Sequence, residues 1–104
     1  MVLSVWQWNI IPGKEKAYEE WVRDAIPRIL RIPGVIEFRG YRPATGSAQT
    51  VVTYEFADMA AWAAWYSHED AQKLLTELRT VTTDVRQEIW GPSPFVPKPV
   101  RPGE

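Results

Sequence analysis

A chain of 104 residues, 45 % of them apolar and 24 % charged, has the make-up of one globular domain with a single core. Its net charge of −1, from 12 basic and 13 acidic residues with no basic run, argues against nucleic acid or an anionic membrane as the main partner. Cysteine is absent, which excludes disulfides and thiolate metal sites.

The opening MVLSVWQWNI lacks a basic leader and a cleavage site, and reads as a first strand and not a signal peptide. No apolar stretch approaches the length of a membrane span, so the cytoplasm is the default compartment. Residues 2–10 alternate, with Val2, Ser4, Trp6, Trp8 and Ile10 on one face and Leu3, Val5, Gln7 and Asn9 on the other. Pro12 and Gly13 break the strand. A helix is predicted from Lys14 to Ile32, with Tyr18, Trp21, Val22, Ala25 and Ile29 on one stripe. Pro27 falls opposite that stripe, where a lost backbone bond predicts a kink and not a break. Pro33 and Gly34 end the helix. Strands follow over residues 35–42 and 49–56, joined by a turn rich in Pro43, Thr45, Gly46 and Ser47.

Asp58 caps a short helix in which Met59, Trp62, Ala63 and Tyr66 are expected inward, with Trp65 beyond the edge of that stripe. Ser67-His68-Glu69-Asp70 resembles a capping box and predicts a second helical start. Ala71, Leu74, Leu75, Leu78 and Val81 continue the apolar stripe, and residues 83–90 form the fourth strand. This order gives an α+β, ferredoxin-like βαββαβ domain over residues 1–90, an antiparallel sheet with two helices on one face. Residues 91–104 hold five prolines and predict an extended arm, with Phe95, Val96 and Val100 available to lie against something.

Strand alternation separates two sheet faces. Trp6, Trp8, Ile10, Ile36, Phe38, Val52, Tyr54, Phe56, Val85 and Ile89 make an apolar face for the helices. Leu3, Val5, Gln7, Asn9, Glu37, Arg39, Tyr41, Thr53, Glu55, Arg86, Glu88 and Trp90 make a mixed face. That second face is either solvated or the contact of a homodimer.

Strand-Pro12-Gly13-helix, Ile32-Pro33-Gly34-Val35, Tyr54-Glu55-Phe56-Ala57-Asp58 and Trp62…Trp65-Tyr66-Ser67-His68-Glu69 together resemble the dimeric α+β barrel superfamily. The resemblance is to its antibiotic biosynthesis monooxygenase branch and covers residues 1–90. It implies a homodimer and a pocket between sheet and helices in each protomer. The branch includes cofactor-independent oxygenases of aromatic polyketides or quinols, haem-degrading enzymes, and members with no assigned activity. In the haem-degrading members a tryptophan on the second helix is followed by an axial histidine. Trp65 matches the tryptophan, but the histidine position falls on Leu75, which cannot ligate iron.

No cofactor and no metal are expected. One histidine with scattered carboxylates supplies no converging ligand set, and there is no glycine-rich phosphate loop. What remains is aromatic. Trp6, Trp8, Trp21, Tyr54, Trp62 and Tyr66 point between helices and sheet, either filling the core at ~150–250 Å² each or leaving a slot for a small planar aromatic ligand. The substrate-binding candidates are Trp6, Trp8, Trp21, Trp62 and Trp65, with Ser4 and Gln87 as polar handles. The catalytic candidates are His68, Tyr54 and Tyr66, as proton acceptors or hydrogen-bond partners. His68 is read either as a rim base or as an exposed helix cap. Three functions stay open: a cofactor-independent monooxygenase of a phenol or quinol, a non-catalytic dimeric binding module, and a tail that offers Pro94-Phe95-Val96-Pro97 to a proline-recognising domain.

Overall fold

The structure is a computed structural model and describes residues 1–104. The elements in chain order are β1 (Val2–Ile10), α1 (Glu15–Arg31), β2 (Glu37–Tyr41), β3 (Thr50–Phe56), α2 (Met59–Tyr66), α3 (Glu69–Leu78) and β4 (Thr82–Trp90). The four strands form one antiparallel sheet in the order β2-β3-β1-β4. This is the ferredoxin-like α+β fold that the sequence predicts, with its second helix in two pieces. No helix is long and apolar enough to cross a membrane.

Register puts the apolar residues of the central strands side by side. Val2 pairs with Phe56, Ser4 with Tyr54, Trp6 with Val52 and Trp8 with Thr50. Val2, Trp6, Trp8, Val52, Tyr54 and Phe56 meet Ala25 and Ile29 of α1, Trp65 of α2, and Ala71, Leu74, Leu75 and Leu78 of α3 in one buried cluster. α1 runs unbroken through Pro27, whose position is exposed as its place opposite the stripe requires. Gly34, at φ +124°, turns the chain out of α1 and lies close to the Phe56 ring and the Ala61 carbonyl. A side chain there would be strained by the backbone angle alone.

The two short helices start on side-chain caps. The Asp58 carboxylate accepts the Ala61 N–H at 2.8 Å. The α3 start is capped by His68, whose Nδ1 accepts the Asp70 N–H at 3.1 Å. Ser67 instead closes α2, donating its hydroxyl to the Ala63 carbonyl at 2.7 Å. The second helical start thus lies where the sequence predicts it, with a different residue as the cap.

The rotation of α2 differs from the expectation. Trp65 is 5 % exposed and packs on Phe56 and Tyr54, at ring separations of 5.8 and 5.3 Å. Met59 and Ala63 face solvent, and Trp62 is half-buried, stacked on Tyr66 at 5.3 Å. The segment MAAWAAWY is apolar all round, so no polar face told the sequence which side turns inward. Ile36 is a second correction: it precedes β2 and stands exposed, off the apolar face.

β4 carries one extra residue against β1. Gln7 pairs with Arg86 but Asn9 with Thr83. Asp84 takes up the difference at φ 57°, and its carboxylate accepts from Asn9 Nδ2 at 3.2 Å. The bulge reverses the alternation of β4, so Thr82 is buried and donates its hydroxyl to the Leu78 carbonyl at 2.7 Å.

Candidate functional site

Sheet and helices do not close completely on each other. A cavity of about 70 Å³ remains between them, lined by 17 residues of hydrophobic type. The sheet contributes Trp6, Trp8, Val52, Tyr54 and Phe38. α1 adds Tyr18, Trp21, Val22, Ala25, Ile26 and Ile29, and α2 adds Trp65 and Tyr66. Ala71, Leu74, Leu75 and Leu78 of α3 complete it. Each α1 and α3 residue comes from the stripe that 3.6-residue periodicity turns inward, and each β1 and β3 residue from the inward alternation.

Polar atoms in this lining are few, and all belong to aromatic rings. Trp8 Nε1 donates to the Tyr18 hydroxyl at 3.0 Å, which leaves the Tyr18 O–H free to donate elsewhere. Tyr54 is 6 % exposed. Burial drives its phenol pKa well above the ordinary value, and the neighbouring Tyr18 phenol pushes the same way. Tyr54 therefore keeps its proton and acts as a donor, not as a base. The indole N–H of Trp65 is buried and has no partner in the protein. A buried donor without an acceptor is unfavourable by about 1–3 kcal/mol. Trp62 Nε1 is unpartnered as well, but Trp62 does not line the cavity.

Trp21 stands at the α1–α3 seam. Its Nε1 donates to Glu77 Oε1 at 2.9 Å, and Arg28 grips both Glu77 oxygens at 2.8 Å while also reaching Asp24 at 2.8 Å. The Arg28 hydrogen bonds hold the Glu77 carboxyl down at about 2, with Trp21 helping against desolvation.

Residues 1–77 match the sequence profile described as antibiotic biosynthesis monooxygenase. The chain belongs to that family. Its fold is shared with a DABB family protein from Mesorhizobium loti, at TM-score 0.78 and 18 % identity over 88 % of this chain and 96 % of that one. HapK from Hahella chejuensis superposes at TM-score 0.75 and 16 % identity, covering 90 % and 94 % of the two chains. SnoaB, a cofactor-independent oxygenase from Streptomyces nogalater, does so at 0.70 and 16 % identity, covering 86 % and 89 %. At such identities these likenesses establish the fold alone. No curated protein matches the chain by sequence.

In this family member the site candidates divide into groups. Trp6, Trp8, Trp21, Tyr54, Trp65 and Tyr66 come together around the cavity. Trp62 stands behind Tyr66 and not in the lining. His68 is the α3 cap, outside the lining, because a side chain that closes a helix start is held against backbone N–H groups there. Ser4 and Gln87 also lie outside. The Ser4 hydroxyl accepts from Trp6 Nε1 at 3.0 Å and from Gln87 Nε2 at 3.3 Å, so this pair anchors the Trp6 indole from behind. Tyr18 was not among the candidates. Its place on the Trp21 stripe was the signal that could have found it.

Proposed function

We propose that the cavity binds a small planar aromatic molecule carrying a phenol or quinone oxygen, and that the protein, as a homodimer, oxygenates a phenolic or quinol substrate there without a cofactor. The observation that carries this reading is the aromatic lining, to which Trp65 contributes and whose tyrosine and tryptophan side chains bear its only side-chain donors. Stacked rings supply most of the attraction for a flat ligand. Trp65, Tyr18 and Tyr54, all in the lining, carry the N–H and O–H groups from which a ligand oxygen would draw its donors. Family membership and the oxygenase likeness support the reaction class.

The chemistry follows from those donors. No carboxylate or imidazole lines the cavity, so the substrate must be acidic enough to lose its own proton. Donors aimed at a phenolate lower its pKa, and water exclusion strengthens each bond. The electron-rich anion then reduces dioxygen. The ring C–H opposite the phenolic oxygen becomes a second carbonyl: one oxygen atom enters the product, the other leaves as water with that ring hydrogen and the phenolic proton, and the substrate supplies every electron. The same lining favours a second reading, ligand binding without turnover.

A titration of tryptophan fluorescence with 1-naphthol or menadione is expected to quench saturably. Trp65→Phe keeps a ring and removes the donor, and is expected to weaken binding about tenfold. Unsaturable quenching in the parent protein overturns the binding reading. Oxygen uptake with an anthrone or quinol checks turnover. Binding without uptake leaves the second reading in place.

A further inference from the structure

At about 70 Å³ the cavity is smaller than the ligand proposed for it. An apolar cavity of about 150 Å³ holds one benzene ring, and a substituted or fused phenol needs more. The empty protein is therefore in a closed state, and a lining side chain has to move before a planar ring can enter. Close-packed interiors give way by a discrete displacement and not by general swelling.

Burial and tethering decide which side chain moves. Most of the lining is buried, and only Tyr18, Trp21, Val22, Ile26, Phe38 and Tyr66 also reach solvent. Val22 and Ile26 are β-branched and stiff in a helix. Tyr18 is tied to the buried Trp8 indole at 3.0 Å. Tyr66 is stacked on Trp62 at 5.3 Å, and Phe38 lies against the buried Tyr54 at 5.1 Å. Trp21 differs from all of these. It is the largest of the six side chains, and its polar tether leads outward. Its Nε1 donates to Glu77, whose side chain is 38 % exposed, and Glu77 is gripped in turn by Arg28, which is 29 % exposed. An indole that turns out of the cavity gives up a ring contact with Tyr18 at 6.5 Å. Water then takes its N–H, and Glu77 keeps Arg28, so no polar group is left unpaired inside.

We propose that Trp21 is the door of the cavity, turning outward at the α1–α3 seam to make room for the ring, and that Glu77 is the latch that holds it shut in the empty protein. Glu77 acts through Trp21 and is a positioning residue. A latch on the closed state reduces the fraction of molecules ready to bind, and the apparent affinity falls with that fraction. Releasing the latch therefore tightens binding, the reverse of what damage to a binding site does.

The inference rests on the reading that the cavity takes an aromatic ligand, and the experiment separates the two. Equilibrium and stopped-flow quenching with 1-naphthol are compared in the parent, Glu77→Ala and Glu77→Gln. Alanine removes the acceptor of the indole N–H, and glutamine keeps an oxygen for it. Glu77→Ala is expected to bind about tenfold more tightly, through faster association, as the loss of one charge-assisted hydrogen bond from the closed state implies. Glu77→Gln is expected to stay within about threefold of the parent. Trp21→Phe removes the donor instead and is expected to follow Glu77→Ala, which keeps the test decisive if the alanine variant does not fold. Saturable binding in the parent with unchanged or weaker binding in Glu77→Ala and Trp21→Phe overturns the door and leaves the cavity reading standing. Equal tightening in Glu77→Gln and Glu77→Ala overturns the indole bond as the latch. A parent protein that shows no saturable quenching overturns the cavity reading and the door with it.

Discussion

Glu77 ties the two long helical faces together through one carboxylate. Both its oxygens are engaged by Arg28, and Oε1 also takes the Trp21 indole proton. Its folded pKa of about 2 lies below its ordinary 4.5, chiefly through the Arg28 hydrogen bonds. A depressed carboxyl contributes stability that is complete above the unfolded pKa and fades as pH falls toward the folded one. Glu77→Gln is therefore expected to destabilise the protein by about 0.5–1 kcal/mol above about pH 5, discounted because the group is partly open to solvent. The difference should shrink between pH 4.5 and about 2. Urea denaturation of both proteins across that range checks it, and a pH-independent difference would rule out the ion pair as its source. The sequence places Trp21 on the inward stripe but not Glu77 beside it. That pairing depends on how α1 and α3 pack, which periodicity within one helix does not encode.

At the scale of elements, β4 shows what alternation can and cannot reveal. Val85, Gln87 and Ile89 share the inner face as a period of two predicts, but Thr82 joins them only because Asp84 adds a residue. Aspartate is among the residues that tolerate a positive φ, so the sequence permits the bulge without announcing it. Asp84→Val is expected to destabilise by about 1–2 kcal/mol, since a branched side chain resists φ 57°. Asp84→Gly relieves the backbone and forfeits only the exposed bond from Asn9, so it should stay near neutral. Thermal melts of the two variants check the contrast, and equal losses would show that the carboxylate and not the backbone matters. α1 was legible almost to its ends because charged residues mark its outer side. α2 was legible as a helix but not in rotation, because nothing in it is charged, and that is why Trp62 and Trp65 exchange roles.

For the molecule as a whole, the cavity sets stability against function. An unfilled space of about 70 Å³ at about 24 cal/mol per Å³ amounts to roughly 1.7 kcal/mol. A domain this small, with limited surface to bury, has reason to close such a space unless a ligand occupies it. Which rings turn inward could be read from the strands and from α1. That they leave a gap could not, because a void is the sum of many packed volumes and no single residue records it. Ala71 lines the cavity and is 4 % exposed. Ala71→Leu should extend side-chain carbons into the space. The expected variant melts higher, by up to that 1.7 kcal/mol, and no longer shows saturable quenching with 1-naphthol. Denaturation and titration on the same sample check both effects. A variant that is less stable and still binds would mean that the space at Ala71 is already filled and that the ligand sits elsewhere. A gain in stability together with a loss of binding would identify the gap as the site that the tryptophans of this chain are arranged to keep open.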